Sequence, residues 1–230
     1  MSALLWDQIG EKLFETGIDH GVLYLAQSDG SYTNGVAWNG LTGVTETPEG
    51  AEPTDKYADN IKYITLYSAE TFSGTINAFM YPDEWKQCNG EAEVGGLTIG
   101  QQARKGFGLS YRTILGNDTE LNEHGYKIHL VYGCQASPSD REYQTVNDSP
   151  DNIEFSWEFS TTPVAIPGTN YKPTSLLTID STKFTTEAQQ AKLKTLENAL
   201  YGTNADPEDP QSVATDPYLP LPAAVIAMLA

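Results

Sequence analysis

Basic residues are scarce in this chain. Its 230 residues include 31 aspartates and glutamates but only 13 lysines and arginines, which gives a net charge of −18. Nucleic-acid binding depends on lysine and arginine side chains that neutralise phosphates. The charge therefore disfavours direct binding of nucleic acid, and its simplest effect is to keep the protein in solution.

Cysteines and long apolar runs are also few. The two cysteines are Cys88 and Cys134, and with no secretory leader predicted at the N-terminus we expect both to be reduced thiols rather than a disulfide. No apolar run has the roughly 20 residues that a transmembrane helix needs. The sequence therefore predicts a protein without a membrane partner.

Motifs of catalysis and metal binding are missing from the sequence. It has no phosphate-binding loop and no nucleophile elbow around a serine, and His20, His124 and His129 lack the spacing of a metal site. Glu154 and Glu158 would lie about 13 Å apart on a strand, too far for a pair of glycosidase carboxylates. We therefore predict neither an enzyme nor a cofactor.

Strand signals dominate the rest of the chain. In residues 153–161, Ile153, Phe155, Trp157 and Phe159 alternate with polar residues, which is typical of a strand with one buried face. Strands are also predicted at residues 21–27, 32–38, 61–69, 72–79, 106–115, 126–136 and 175–179. Strands in this number favour a mainly β fold of two packed antiparallel sheets, as a sandwich or barrel.

One flanking α-helix is predicted at residues 187–201. Thr186 and Gln189 have the spacing of a capping box, Leu193, Leu196 and Leu200 form a narrow apolar stripe, and Gly202 provides a stop. A shorter helix followed by a loop is expected within residues 82–96.

Three appendages are predicted outside the β-rich domain of residues 21–203. Residues 1–20 form an arm or short helix, since apolar residues recur there at near-helical spacing. Residues 39–59, rich in Gly, Pro, Thr and acidic residues, form an unusually long loop. Residues 204–230 are a Pro-rich spacer followed by an apolar C-terminal arm, which we expect to reach a groove on a neighbouring molecule rather than on its own domain.

Several whole segments resemble the major tail protein, or tail tube protein, of long-tailed (siphovirus-type) bacteriophages. The resemblance runs from about Ala37 to the end of the chain. It is carried by AWNGLTG (37–43) with TPEGAEP (47–53), KYITLYSAE (62–70), GTINAF (74–79), YPDEW (81–85), GFGLSYR (106–112), GYKIHLVY (125–132), NDSP (147–150), FSWE (155–158) and LPLPAAVIA (219–227).

The resemblance implies a structural virion protein that polymerises as stacked hexameric rings into a tube through which DNA is ejected. The loop at 39–59 would contact the next ring through Glu46, Glu49, Glu52 and Asp55. The C-terminal arm would contact neighbours through Tyr218, Leu219, Leu221, Val225, Ile226 and Leu229. The acidic residues Glu154, Glu158, Asp118, Glu120 and Glu123 are candidates for the lumen.

The resemblance also implies partners and a location. The partners would be copies of the chain itself and the tape measure, tail terminator and tail tip proteins, and the location would be the host cytoplasm during assembly and then the virion tail. The main alternative is a monomeric β-sandwich binding module of the lectin or adhesin kind, because exposed aromatic residues on sandwiches can bind ligands.

Overall fold

The computed structural model describes residues 3–143, 145, 152–205 and 213–230. The fold is mainly β, with antiparallel strands and three helices. The strands are β1 (Phe14–Ala26), β2 (Tyr32–Ala37), β3 (Leu41–Glu49), β4 (Pro53–Ala58), β5 (Ile61–Tyr67), β6 (Thr71–Ala78), β7 (Ala92–Val94), β8 (Leu97–Ile99), β9 (Phe107–Asn117), β10 (Leu121–Ala136), β11 (Phe155–Thr161) and β12 (Leu176–Asp180). The helices are α1 (Trp85–Cys88), α2 (Glu187–Tyr201) and α3 (Pro222–Leu229), with a 3-10 turn at Ser181–Lys183.

One continuous sheet of eight strands organises the molecule. Its order is β2-β1-β9-β10-β11-β6-β3, and β12 pairs with β10 as a branch. The long strand β10 joins the two halves, because residues 127–131 pair with β12 and residues 134–136 pair with β11. The described strands thus form one eight-stranded sheet where the sequence predicted two packed sheets, and two small hairpins, β4–β5 and β7–β8, stand apart from it.

The first core gathers side chains from both halves of this sheet. Leu23 of β1 and Leu109 of β9 belong to the same buried cluster as Ile76 of β6 and Trp157 of β11. The alternation in β11 is as predicted, since Trp157 and Phe159 are buried while Ser156 and Glu158 are exposed. Burial of the large aromatic rings in this cluster is the main favourable contribution to the fold.

A second core lies on the opposite face of β1 and β10, under α2 and α3. Successive side chains of a strand point to opposite faces, so Val22 and Tyr24 join this cluster while Leu23 joins the first. The predicted helix α2 is confirmed, with Leu193, Leu196 and Leu200 packed into the cluster. Its predicted capping box is also present.

The C-terminal segment packs on its own chain, which corrects the expectation that it reaches a neighbour. Leu219 and Val225 are each 2% exposed and belong to the second core. Leu219 N donates to Tyr32 O, and Gly35 N donates to Pro217 O, so the segment runs beside the free edge of β2. The groove that receives it is built by elements far apart in the sequence, which hides it from a sequence-based analysis. Of the predicted spacer, residues 206–212 lie outside the described residues.

The short helix that was one of two possibilities predicted for residues 1–20 is wrong. From residue 3 to residue 13 the described chain has no helix, and β1 begins at Phe14, inside the segment predicted as an arm. Asp7 (φ 55°) and Gly10 (φ 87°) adopt left-handed backbone conformations that interrupt any helix. The near-helical spacing of the leucines is not sufficient to form a helix, because no apolar surface packs against them. Leu4 and Leu5 are 76% and 71% exposed.

The predicted loop at residues 39–59 is also wrong, since most of it is strand. β3 pairs along its length with β6, and β4 pairs with β5. The prolines that suggested a loop occupy positions that a strand tolerates: Pro48 lies on the edge strand β3 and Pro53 is the first residue of β4. The composition therefore misled the prediction, because edge strands can carry turn-forming residues.

Candidate interaction surface

A long double hairpin projects from one end of the sheet. Its base is the ladder of β3 and β6, which pair from Leu41↔Ala78 to Glu49↔Thr71. Its outer part, residues 53–67, is the hairpin of β4 and β5, which we call the arm. The arm has no ladder to any other strand among the described residues.

Local chemistry accounts for the arm's hairpin shape. Asp59 (φ 50°) and Asn60 (φ 61°) are both left-handed, as the central residues of a type I′ turn must be, and Asp and Asn tolerate this conformation. Across the hairpin, the Asp55 carboxylate lies 2.7 Å from Lys62 Nζ and accepts a 2.7 Å hydrogen bond from Thr65 Oγ1. These contacts fix the register of the arm without help from a core.

A glycine joins the base to the arm. Gly50 has φ of 94°, and a Cβ atom at this position would lie 2.3 Å from the carbonyl oxygen of Ala69, in the link between β5 and β6. Only glycine fits such a close approach. The ladder is re-formed beyond it by the bond from Ser68 N to Glu52 O, so the joint is a defined bend rather than a break.

Large apolar and aromatic side chains cover both faces of the arm and are open to solvent. The exposed fractions are 69% for Tyr57, 65% for Ile61, 74% for Tyr63, 48% for Ile64, 49% for Leu66 and 70% for Tyr67. Soluble monomers rarely expose so many apolar groups together, and such patches mark interaction sites. An isolated two-stranded hairpin is also only marginally stable in water, so contact with a partner would stabilise it.

The arm is electrically neutral within a strongly acidic chain. Residues 53–67 contain two aspartates and two lysines, whereas the whole chain carries a net charge of −18. Repulsion between copies of an acidic protein opposes their association. The arm is therefore a part of the surface on which another copy could be contacted with little electrostatic cost.

The residues predicted for the inter-ring contact differ in their exposure. Glu49, Glu52 and Asp55 are exposed along the projecting hairpin, as a contact would require. Glu46 is half-buried at the base, where it accepts a hydrogen bond from the Tyr111 hydroxyl and lies 3.1 Å from His129 Nδ1. The hydrogen bond with His129 lowers the pKa of Glu46 below its ordinary value. Glu46 therefore anchors the base of the hairpin to its own domain.

Sequence reasoning missed the apolar residues of the arm. The prediction named acidic side chains, whereas Ile61, Tyr63, Ile64, Leu66 and Tyr67 provide most of its exposed apolar surface. The available signal was that β5 carries apolar residues at both odd and even positions. A strand of this kind needs cover on both faces, and the described part of the chain leaves its side chains exposed.

The five lumen candidates are all exposed but form two separate groups. Glu154 immediately precedes β11, and Glu158 lies within it. Glu154 accepts a 2.7 Å hydrogen bond from Thr42 Oγ1. Asp118, Glu120 and Glu123 lie where β9 turns into β10. Roughly 40 Å of strand separates Glu123 from the part of β10 that pairs with β11. The structure therefore does not bring the two groups together within one chain.

The residues predicted for the C-terminal interface also differ in their exposure. Leu219 and Val225 are buried in the second core, and Leu229 packs against it, so these three act within the chain. Tyr218 and Leu221 each remain 40% exposed. Ile226 is half-buried on α3. Of these six residues, Tyr218 and Leu221, with the exposed parts of Ile226 and Leu229, offer surface to another molecule.

Reactive or ligand-binding groups are few in the described part of the chain. No group of three or more His, Cys, Asp or Glu side chains there is arranged to hold a metal ion. No helix among the described residues is long and apolar enough to cross a bilayer. Cys88 and Cys134 are free and buried; burial raises the pKa of Cys88 to about 12 and that of Cys134 well above its ordinary value. Both thiols are therefore protonated and unreactive at neutral pH.

Comparison with known proteins assigns no family to this chain. No protein-family model matches the chain, and a search of curated proteins found no match. The projecting arm is therefore the feature on which a functional interpretation rests.

Proposed function

We propose that this protein is a structural subunit that assembles with copies of itself into the tail tube of a long-tailed bacteriophage. The arm of residues 53–67 is the observation that carries the proposal, because it presents a neutral and apolar surface that pairs with no further strand among the described residues. The resemblance of whole segments to major tail proteins supplies the kind of assembly, which is a stack of hexameric rings.

The arm fits the role of a contact between rings. It extends beyond the main sheet on a defined bend at Gly50, so it can reach past the boundary of its own subunit. Tyrosine is among the residues that contribute most to interfaces, and Tyr57, Tyr63 and Tyr67 are all exposed there. In this proposal Glu49, Glu52 and Asp55 lie at the rim of the contact.

The acidic surface fits the role of a conduit. A tube wall that carries the same charge as DNA does not bind it, and salt screens the remaining repulsion over about 8 Å at physiological ionic strength. In the proposed tube, Glu154 and Glu158 or the group of Asp118, Glu120 and Glu123 would face the lumen. Tape measure, tail terminator and tail tip proteins would be the further partners.

The proposal is tested by assembly as a function of concentration. We expect the wild-type protein to form hollow stacked rings in electron micrographs and to sediment faster as its concentration rises. Tyr63→Ser should raise the concentration needed for assembly by about 5-fold or more, since loss of an aromatic anchor costs more than about 1 kcal/mol. Stability of the monomer should change by no more than about 0.5 kcal/mol, because Tyr63 has no buried contacts to lose.

Tyr171→Ser is the matched control, since Tyr171 is 70% exposed compared with 74% for Tyr63 but lies outside the arm. Equal effects of the two substitutions would contradict the role of the arm.

A second candidate function is a monomeric binding module, which the three exposed tyrosines of the arm also favour. A protein that stays monomeric at all concentrations, and binds glycans in a Tyr63-dependent manner, would support that alternative.

A further inference from the structure

A buried histidine lies between two carboxylates where the projecting hairpin meets the rest of the sheet. His129 of β10 is 9% exposed, and its ring stacks on that of Tyr111 with the centroids 4.7 Å apart. Its Nδ1 atom lies 3.1 Å from Oε1 of Glu46, on β3. On the other side of the ring, Nε2 lies 3.1 Å from Thr113 Oγ1 and 3.7 Å from Glu15 Oε1. The imidazole therefore joins the base of the hairpin to β1 and β9 as well as to its own strand.

The hydrogen bonds around this ring require a proton on both of its nitrogens. A carboxylate only accepts hydrogen bonds, so Nδ1 must donate to Glu46. The Thr113 hydroxyl has a single hydrogen, and it donates that hydrogen to Glu15 Oε1 at 2.6 Å. Nε2 therefore faces a lone pair of Thr113 Oγ1 and must donate as well. In this arrangement His129 is a cation.

The neighbouring carboxyl groups are held in their ionised form. The hydrogen bond with His129 lowers the pKa of Glu46. Burial raises the pKa of Glu15, but hydrogen bonds, led by that from Lys127, outweigh burial and leave this pKa below its ordinary value. Lys127 Nζ lies 2.5 Å from Glu15 Oε2, whereas the ion-pair partner of Glu46 among the described residues is His129. β12 adds no charge here, since it places Thr178 opposite His129 in the ladder.

Loss of one proton from His129 would unbalance this cluster. With the imidazolium, the two carboxylates of Glu15 and Glu46 are matched by two cations, Lys127 and His129. A neutral imidazole has one N–H, so it can keep either the hydrogen bond to Glu46 or the one to Thr113. In both cases Glu46 stays half-buried without a cation beside it, and loss of a hydrogen bond to a charged group is unfavourable.

We propose that His129 is a pH-dependent latch, which holds the base of the hairpin on its own domain when protonated and releases it when deprotonated. The latch acts on the part of the β3–β6 ladder from Glu46↔Gly74 to Glu49↔Thr71, which adjoins the arm. The proposal concerns a single molecule and does not depend on assembly.

The direction of the effect follows from the two ionised partners. Histidine changes its charge between about pH 5 and 8, so the cationic contact is present at the acidic end of this range and is lost as the pH rises through it. The contribution of Glu46 is lost in the other direction, as the pH falls through its lowered pKa. The latch is therefore closed in mildly acidic solution and open in mildly alkaline solution.

Hydrogen exchange of the monomer tests the latch. At a protein concentration too low for assembly, the amides of residues 44–49 and 71–75 should lose about 10-fold in protection from about pH 5.5 to about pH 8.5, after correction for intrinsic exchange rates. Protection in the β9–β10 ladder should change less. The midpoint of the loss should coincide with the midpoint at which the imidazole signal of His129 titrates in NMR spectra.

His129→Gln should abolish this pH dependence. His124→Gln is the matched control, because His124 also pairs with a carboxylate, Glu120 at 2.6 Å, but lies away from the base of the hairpin. A loss of protection that persists in His129→Gln, or that His124→Gln removes equally, would overturn the latch.

Two outcomes in the wild-type protein would also overturn it, and they apply even if His129→Gln folds poorly. One is equal protection of residues 44–49 at the two pH values, and the other is a pair of midpoints that do not coincide. Because every measurement is made on the monomer, failure of the latch would leave the proposed function standing.

Discussion

Replacing Leu219 by alanine tests whether the C-terminal segment belongs to the folded domain. Leu219 is 2% exposed and packs in the second core beneath α2. The fit is close, since a Cβ atom built on Gly108 would lie 2.5 Å from Leu219 Cδ2. Truncation of a buried leucine to alanine costs about 2–5 kcal/mol, through lost burial and the cavity that remains. We expect about 3 kcal/mol for Leu219→Ala.

The assay is unfolding by urea and by heat at a protein concentration too low for assembly. For a protein of this size, about 3 kcal/mol lowers the Tm by roughly 6–12 °C. Leu221→Ala is the control, because Leu221 lies two residues away in the same segment but is 40% exposed. Its substitution should cost only about 0.5 kcal/mol.

A result in which the two variants unfold at the same urea concentration would refute the packing of this segment in cis. A loss below about 1 kcal/mol for Leu219→Ala would have the same meaning, since it would show that the side chain is solvated in solution. The expected outcome would instead imply that removing residues 216–230 destabilises the domain itself. Any defect in the assembly of such a truncated protein would then reflect unfolding.

Two further predictions concern stability. Thr186→Ala should cost about 1 kcal/mol in chemical unfolding, because it removes the capping box at the start of α2, whereas the exposed mid-helix Thr195→Ala should cost less; equal losses would contradict the role of the cap. Two hydrogen bonds of 2.7 Å from Arg112 lower the pKa of Asp19 below its ordinary value of 3.8. The ion pair therefore stabilises the fold above about pH 4 and is lost as the pH falls through the lowered pKa. Wild type should be more stable than Asp19→Asn at pH 7, and the difference should shrink below pH 4; a difference independent of pH would contradict this assignment.

The strands of the central sheet other than β3 could be predicted because most of them have one or two buried faces. The alternation in β11 and the apolar runs in β1 and β10 reflect burial, which acts residue by residue and leaves a local pattern. α2 could be predicted for the same reason, with the added signals of Thr186 and Gly202. In each of these elements, local propensity and tertiary packing agree.

The elements that were mispredicted are those whose structure is decided by distant residues. β3 has turn-like composition, yet it is a strand because β6 offers a complete ladder beside it. α3 packs in cis because β2, β10 and α2 contribute to the cluster that receives it, and no local pattern reveals a groove of that kind. Residues 3–13 have near-helical apolar spacing but no surface to pack against, so the spacing alone does not produce a helix.

The charge of the chain explains why an interaction surface would be placed on projecting hairpins. Copies with a net charge of −18 repel one another, and the repulsion is greatest where their acidic surfaces approach closely. A neutral hairpin that extends from the domain can meet an apolar patch while the acidic bodies stay apart, and screening acts over about 8 Å at physiological salt. In the proposed tube, the same acidity that would suit the wall of a DNA conduit would restrict self-contact to the arm and to similarly exposed apolar segments such as β7–β8.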